Sequence, residues 1–154
     1  MGVEIERKFL VTGDAWRTMG KPVLLRQGYL SSDPDRTVRV RVENDGGTVT
    51  IKGRSVGATR GEWEYPIPLA DANELLDRLC QQPIIEKYRR RIEFDGNIWE
   101  VDEFLGANAG LVVAEIELAS EDQAFEKPDW IGDDVTHDRR YFNSSLIHHP
   151  FSGW

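Results

Sequence analysis

Near the start of the chain, Glu4-Ile5-Glu6-Arg7-Lys8-Phe9 shows the alternation from which the fold class is predicted. Alternate side chains of a β-strand lie on the same face, so Glu4, Glu6 and Lys8 share one face of a predicted strand. Ile5 and Phe9 lie on the opposite face. One face of this strand is therefore wholly charged, while the other carries apolar side chains.

The same two-residue period recurs along most of the chain and predicts an antiparallel meander. Asn44-Asp45-Gly46-Gly47 and Asp95-Gly96 supply residues that tolerate positive φ, so each is expected to close a hairpin. Eight strands are predicted, over residues 3–11, 24–30, 37–43, 48–54, 61–67, 86–94, 97–104 and 111–118.

Helices are predicted in few places, and all are short. Asp71 and Glu74 form a capping-box pattern ahead of a stripe of leucines, and Ser120 with Gln123 repeats that pattern. Weaker signals predict short helices over 14–19 and 140–147. The expected fold class is α+β and mainly β, formed by a single domain over residues 1–154.

Charged side chains occupy one face of strand after strand. Solvated strand faces usually mix charges with neutral polar residues, and each exposed ion pair contributes at most about 1 kcal/mol, so surface stability does not explain the set. The cations are Lys8, Arg39, Arg41, Lys52, Lys87, Arg89 and Arg91. The carboxylates are Glu4, Glu6, Glu62, Glu64, Glu100, Asp102, Glu115 and Glu117.

A sheet that curls into a closed, tunnel-like barrel accounts for both faces, because the charged face becomes the interior and the apolar face packs beneath a few short covering helices. Desolvating so many ions costs several kcal/mol each, so the interior is expected to be wet and to bind a ligand. A triphosphate with divalent metal fits, since carboxylates bind Mg²⁺ and Mn²⁺ while Arg and Lys contact phosphate oxygens.

The composition narrows the cellular setting and the partners. A formal net charge of −8 argues against non-specific binding of nucleic acid or of an anionic membrane. A single cysteine, the charged N-terminus and the lack of a long apolar run predict a cytoplasmic protein. The apolar strand faces make a homodimer a candidate.

The motifs together resemble the CYTH superfamily, or triphosphate tunnel metalloenzymes, whose mark is an N-terminal Glu-x-Glu-x-Lys strand, here Glu4 to Lys8. The chain looks most similar to the compact bacterial members, which are inorganic triphosphatases. Further matches in the family's order cover essentially the whole chain: Leu25-Arg26-Gln27-Gly28-Tyr29-Leu30, Arg39-Val40-Arg41, Thr50-Ile51-Lys52, Glu62-Trp63-Glu64, Glu86-Lys87-Tyr88-Arg89, Val101-Asp102-Glu103-Phe104 and Glu115-Ile116-Glu117.

The resemblance implies the roles of individual residues. Lys8, with Tyr29 as the candidate tunnel tyrosine, would orient or activate the attacking water. The metal ligands, for two ions of Mg²⁺ or Mn²⁺ per site, would be Glu4, Glu6, Glu62, Glu64, Asp102, Glu115 and Glu117. The phosphate-binding residues would be Arg39, Arg41, Lys52, Lys87, Arg89 and, at the tunnel end, Arg139. The stretch 138–143 resembles the family's segment before a closing helix, but the residues after it depart from the pattern.

The expected reaction is hydrolysis of inorganic tripolyphosphate, or of a related organic triphosphate, to diphosphate and phosphate. Positioning and electrostatic stabilisation carry most of phosphoryl transfer, and no covalent intermediate is needed. The alternatives are an adenylate cyclase or a thiamine triphosphatase of the same superfamily, and a non-catalytic polyphosphate-binding module. The last is disfavoured because binding alone needs mainly the cations.

Overall fold

The computed structural model describes residues 2–154, and its centre is a closed antiparallel β-barrel. The strands are β1 (Gly2–Val11), β2 (Val23–Ser31), β3 (Arg36–Glu43), β4 (Gly46–Gly53), β5 (Thr59–Ile67), β6 (Ile85–Phe94), β7 (Asn97–Phe104), β8 (Val112–Glu117) and β9 (Ile131–Asp134). Strands β1 to β8 follow the ring order β5-β4-β3-β2-β6-β7-β8-β1, and pairing of β1 with β5 closes the ring. The closed barrel expected from the alternating pattern is confirmed.

The eight barrel strands form where the two-residue period predicts them, with ends that differ by at most two residues. Both predicted hairpins are present. Glu43 pairs with Gly46, and Asn44 in the turn has φ 53°. The second turn, between β6 and β7, has positive φ at Asp95 and Gly96. Turn chemistry thus sets the register of four strands.

Strand β9 is not predicted by the sequence. It is four residues long, contains two aspartates and has no apolar alternation. It pairs with β1 at Phe9 and Val11, on the edge that β5 leaves free beyond Ile5. One edge of the first strand therefore pairs with β5 and then with β9, while the other edge pairs with β8 from Glu6 to Leu10.

Helix α1 (Leu69–Arg78) covers the outer face of β2, β3 and β4. Its Ala72 and Leu76 are buried against the outward-facing valines of β3. The close approach requires a glycine on β4, because a Cβ on Gly47 would lie 2.6 Å from the Cβ of Ala72. The predicted capping box is wrong: the helix begins after Pro68, and Asp71 lies in its first turn without capping it.

The segment after β8 covers another part of the outer face, and the helix predicted from Ser120 and Gln123 is absent. The side chain of Gln123 instead accepts a hydrogen bond of 2.6 Å from the backbone N–H of Ala119, which holds a local turn. Short polar side chains favour such turns over helix. The chain then extends so that Trp130 packs edge-on against Trp99 of β7.

The last twenty residues pack against one end of the barrel. A 3₁₀ turn at Arg139–Tyr141 leads into α2 (Asn143–Leu146), where the sequence predicted one short helix. Leu146 and Ile147 are buried there with Phe104. The helix predicted over 14–19 is a 3₁₀ turn, Ala15–Thr18. Within residues 2–154 no helix has the length and apolar character needed to cross a membrane.

Candidate active site

A cavity of about 630 Å³ occupies the barrel interior and opens at the end that the C-terminal segment partly covers. Strands β1 to β6 and β8 supply its walls. The loops between β2 and β3 and between β4 and β5, with residues 136–145, form its mouth. The inward direction of the charged side chains follows from the strand alternation, since the opposite faces carry the apolar residues that α1 and the loops cover.

All of the predicted phosphate-binding cations line this cavity. They come from β3, β4, β6 and the C-terminal segment, and they are Arg39, Arg41, Lys52, Lys87, Arg89 and Arg139. Arg139 is exposed and lies at the mouth. Arg54 and Arg60 also line the cavity, although the sequence analysis did not single them out. The wall is thus rich in groups that can contact phosphate oxygens.

Arg39 and Arg41 lie on the same face of β3 and are incompletely neutralised by protein groups. Arg41 donates from Nε to the side-chain oxygen of Gln27 at 3.0 Å, and burial, with the positive charges of Arg39 and Arg89, lowers the pKa of Arg41 to about 9. Arg39 Nε is enclosed and has no hydrogen-bond partner within the described chain. Crowded, underpaired guanidinium groups of this kind favour the binding of an anion.

Three of the predicted metal-binding carboxylates, Glu4, Glu6 and Glu115, lie on the cavity wall. Both oxygens of Glu4 accept hydrogen bonds from Lys52 Nζ at 2.9 Å. Burial and the negative charges of Glu115 and Glu4 raise the pKa of Glu6 well above its usual range. In the part of the chain that the structure describes, no three acidic, His or Cys side chains converge closely enough to hold a metal ion.

This donor set nevertheless fits a divalent cation. Carboxylate oxygens are the hard ligands that Mg²⁺ and Mn²⁺ prefer, and the carboxylates that repel one another around Glu6 would be stabilised by a cation among them. In the protein alone, ammonium groups take part of that role: Lys52 at Glu4, and Lys8 at 3.6 Å from Glu115.

The other predicted metal ligands are not brought to the cavity wall. Asp102 is buried behind it, where it accepts two hydrogen bonds from Arg89 at 2.7 and 2.9 Å and pairs with Lys87 at 2.8 Å. Glu64 accepts a hydrogen bond from Thr50. Glu62 and Glu117 also lie off the lining of the main cavity. Roles for these four as metal ligands stay predictions.

The predicted catalytic pair, Lys8 and Tyr29, lines the cavity near the C-terminal segment. Lys8 Nζ donates to the backbone oxygen of Tyr141 at 3.3 Å and lies over the ring of Phe142. Burial opposes the charged form, but Glu115 and Glu6 raise the pKa of Lys8 above its ordinary value. Lys8 is therefore an ammonium group, which suits donation of a hydrogen bond and excludes service as a base in this state.

Sequence reasoning missed several polar groups of the cavity. Arg60 shares the inward face of β5 with Glu62, so the alternation could have identified it; it donates to Thr37 at 2.7 Å. Gln27 does not line the cavity, but it accepts from Arg41 behind the wall and could have been found in the same way on β2. Asn143 could not, because its segment has no strand or helix period that predicts the direction of a side chain.

A closed barrel with a cavity lined by both cationic and anionic side chains defines a class of protein that holds a polyanion within a closed sheet. The family model described as the CYTH domain matches residues 2–148, and the chain belongs to that family.

Two curated relatives are both inorganic triphosphatases. This chain is 56% identical to the inorganic triphosphatase of Acetivibrio thermocellus, over its full length and 99% of the relative. It is 37% identical to the inorganic triphosphatase of Nitrosomonas europaea, over 93% of this chain and 95% of the relative. The crystal structure of the inorganic triphosphatase NE1496 superposes with a TM-score of 0.65, at 35% identity, over 93% of this chain and 96% of that one.

Proposed function

We propose that the protein hydrolyses inorganic tripolyphosphate to diphosphate and phosphate inside the barrel. The observation that carries the proposal is the presence of six predicted phosphate-binding cations and three predicted metal-binding carboxylates on the wall of one cavity. Binding of an anion alone would need the cations only. The 56% identity to an inorganic triphosphatase along the full chain supports the same reaction.

The cations bind and orient the substrate. Arg39, Arg41 and Arg89 present guanidinium groups to the non-bridging oxygens, while Lys52 and Lys87 supply point charges. Such a cage holds the terminal phosphorus in a fixed position for in-line attack and stabilises the charge that develops on the equatorial oxygens. In the net reaction, water forms the new O–P bond and the bridging P–O bond breaks.

The residues that would hold a divalent metal are Glu4, Glu6 and Glu115 at the cavity, with Mg²⁺ or Mn²⁺ as the ion and two ions per site. When bound, the metal supplies Lewis-acid stabilisation of phosphate oxygens and lowers the pKa of a bound water. Lys8, as an ammonium group close to Glu115, donates a hydrogen bond to a substrate or water oxygen. Tyr29 lies on the same wall and would orient that water.

The test is phosphate release from tripolyphosphate, diphosphate, ATP and thiamine triphosphate, each with Mg²⁺, with Mn²⁺ and with chelator. Rapid metal-dependent release from tripolyphosphate, with little from diphosphate, is expected. Release from thiamine triphosphate alone would move the assignment to an organic substrate, and cyclic AMP formed from ATP would move it to a cyclase. Loss of activity in chelator should be reversed by added metal. Without metal, the ion pairs of Lys8 with Glu115 and of Lys52 with Glu4 keep these two carboxylates in position.

Several features of the wider setting are part of the proposal. We take residues 1–154 as one domain in a cytoplasmic protein that binds neither nucleic acid nor membrane. A homodimer is proposed from the exposed apolar side chains on the outer faces of β1, β4 and β5, which include Val3, Ile51 and Tyr65. A solution mass equal to one chain at micromolar concentration would exclude the dimer.

A further inference from the structure

Asn143 connects the C-terminal segment to two buried residues of the barrel through two hydrogen bonds. Its side-chain oxygen Oδ1 accepts from Lys87 Nζ at 3.0 Å and from Gln27 Nε2 at 3.1 Å. Both donors are buried: Gln27 is 0% exposed, and the side chain of Lys87 is 1% exposed. The first residue of α2 is thereby fixed against β2 and β6.

The chemistry of the donors fixes which way the amide of Asn143 faces. An ammonium group and a guanidinium group can only donate hydrogen bonds. Arg41 donates to the oxygen of Gln27, so the Gln27 amide must present its nitrogen to Asn143. Lys87 and Gln27 therefore both require an acceptor oxygen from Asn143. If the amide were flipped, its NH₂ group, which only donates, would face the two donors and no hydrogen bond would form.

The amide nitrogen of Asn143 consequently points away from this network. Nδ2 donates no hydrogen bond within residues 2–154. It is also absent from the enclosed polar atoms that lack a partner, so solvent reaches it. Asn143 is one of the residues that line the cavity, as Lys87 and Arg41 are, and this favours a position of Nδ2 on the cavity side.

We propose that Asn143 Nδ2 donates a hydrogen bond to a non-bridging phosphate oxygen of the bound triphosphate, an inference that rests on the proposed function. A neutral donor beside Lys87 adds a directional contact without adding to the repulsion among the positive charges. The C-terminal segment is then part of the substrate site and does more than cover one end of the barrel.

The competing explanation is that Asn143 only anchors Lys87 and Gln27 through its oxygen. Asn143→Asp separates the two roles, because aspartate has the same shape and still offers an oxygen to both donors. It replaces the cavity-facing donor by an acceptor with negative charge, which repels phosphate. Asn143→Ala removes both groups. Asn73→Asp is the matched control, since Asn73 on α1 also accepts through Oδ1, from Arg26, and lies outside the cavity.

The experiment measures tripolyphosphate binding by calorimetry in chelator, KM and kcat with Mg²⁺, and Tm of each variant. A hydrogen bond to a charged group contributes about ten- to a hundredfold in affinity. Asn143→Asp is expected to weaken binding and raise KM by at least about thirtyfold, more than Asn143→Ala does, with Tm close to that of the parent protein. Asn73→Asp should change neither the affinity for tripolyphosphate nor KM by more than about twofold.

Wild-type affinity in Asn143→Asp would overturn the inference, whether or not Asn143→Ala folds, because the anchor would then suffice. Absence of turnover in the parent protein, with binding still weakened in Asn143→Asp, would overturn the proposed reaction and support the binding contact. A parent protein that neither binds nor hydrolyses tripolyphosphate would overturn both.

Discussion

Lys52 Nζ lies 2.9 Å from both carboxylate oxygens of Glu4, although β4 and β1 are not neighbours in the ring. The pair spans the intervening strand β5 and joins a proposed phosphate-binding cation to a proposed metal ligand. Each side chain therefore neutralises the other, and the proposed binding of phosphate at Lys52 and of metal at Glu4 would replace this ion pair by contacts with the ligands.

Glu4→Gln should abolish metal-dependent phosphate release, by at least about a hundredfold, because a neutral amide binds a divalent cation far more weakly than a carboxylate. Glu117→Gln tests the ligand that lies off the cavity wall and should share the loss if its predicted role holds. Steady-state kinetics with Mg²⁺ give the comparison, and circular dichroism checks the fold.

Glu86→Gln is the matched control for both changes, because Glu86 lies on the outward face of β6 and is exposed. Turnover at the parent rate in Glu4→Gln would remove Glu4 from the metal site.

Asp102→Asn should destabilise the protein, since Asp102 is 1% exposed and neutralises both Lys87 and Arg89. Removal of one member of a buried ion pair costs about 3–5 kcal/mol, because the partner is left buried and uncompensated. Urea unfolding measures the change in the free energy of unfolding. Glu103→Gln, which breaks only the surface pair with Arg17, should cost less than about 1 kcal/mol. If Asp102→Asn and Glu103→Gln had the same free energy of unfolding, and only Asp102→Asn lost activity, the result would instead favour direct binding of the metal by Asp102.

Arg39→Met should separate stability from activity. Arg39 is one of the positive charges that lower the pKa of Arg41, and its Nε has no partner in residues 2–154. Removal of that repulsion is expected to raise Tm by about 2–4 °C, while KM for tripolyphosphate rises at least about tenfold. Thermal unfolding and kinetics measure the two effects. Arg36→Met, on the outward face of the same strand, should leave KM unchanged, and a fall in Tm for Arg39→Met would contradict the argument.

Asp134→Asn should weaken the attachment of β9 in a pH-dependent way. Partial burial opposes the charged form, but hydrogen bonds from Thr136 and Arg7 hold the pKa of Asp134 below its ordinary value. The lower pKa in the folded state means that the stabilisation is complete above about pH 4, the ordinary value for aspartate, and is lost as pH falls through the folded value.

The difference in unfolding free energy between the parent and Asp134→Asn is therefore expected to be largest near pH 7, at up to about 1 kcal/mol, and to shrink below pH 4. Denaturant titrations at several pH values measure it. Asp133→Asn, at the neighbouring exposed residue, serves as the control. A difference that grows with acidity would show that the charge of Asp134 does not stabilise the fold.

The barrel could be predicted because charged and apolar side chains alternate along its strands. In a strand, the residue number then tells which face each side chain occupies. Glu4, Arg41 and Lys87 could be assigned to one interior on that basis alone. The same reasoning cannot say how deep a side chain lies along the tunnel axis, so it does not distinguish Asp102 from Glu115, which the family resemblance implies as equivalent ligands. In the structure one is buried in an ion-pair network, while the other lines the cavity.

The predictions that fail, and the residues that were not predicted, lie in segments with no regular strand or helix period. Ser120 and Gln123 satisfy a helix-start pattern, but their side chains bond to a local turn and the segment stays extended so that Trp130 reaches Trp99. Asn143 is placed by tertiary contacts with Lys87 and Gln27, which lie 56 and 116 residues away in the chain. Side-chain direction in such segments is decided by the finished fold, so local sequence does not reveal it.

The position of β1 between β5 and β8 has a consequence for biosynthesis. The first strand leaves the ribosome about 100 residues ahead of β8, which at about 5–20 residues per second is a delay of roughly 5–20 s. During that interval β1 has an unpaired edge that could join the strands of other nascent chains. Glu4, Glu6 and Lys8 place a charge at alternate positions of this strand, a pattern that opposes association with other strands.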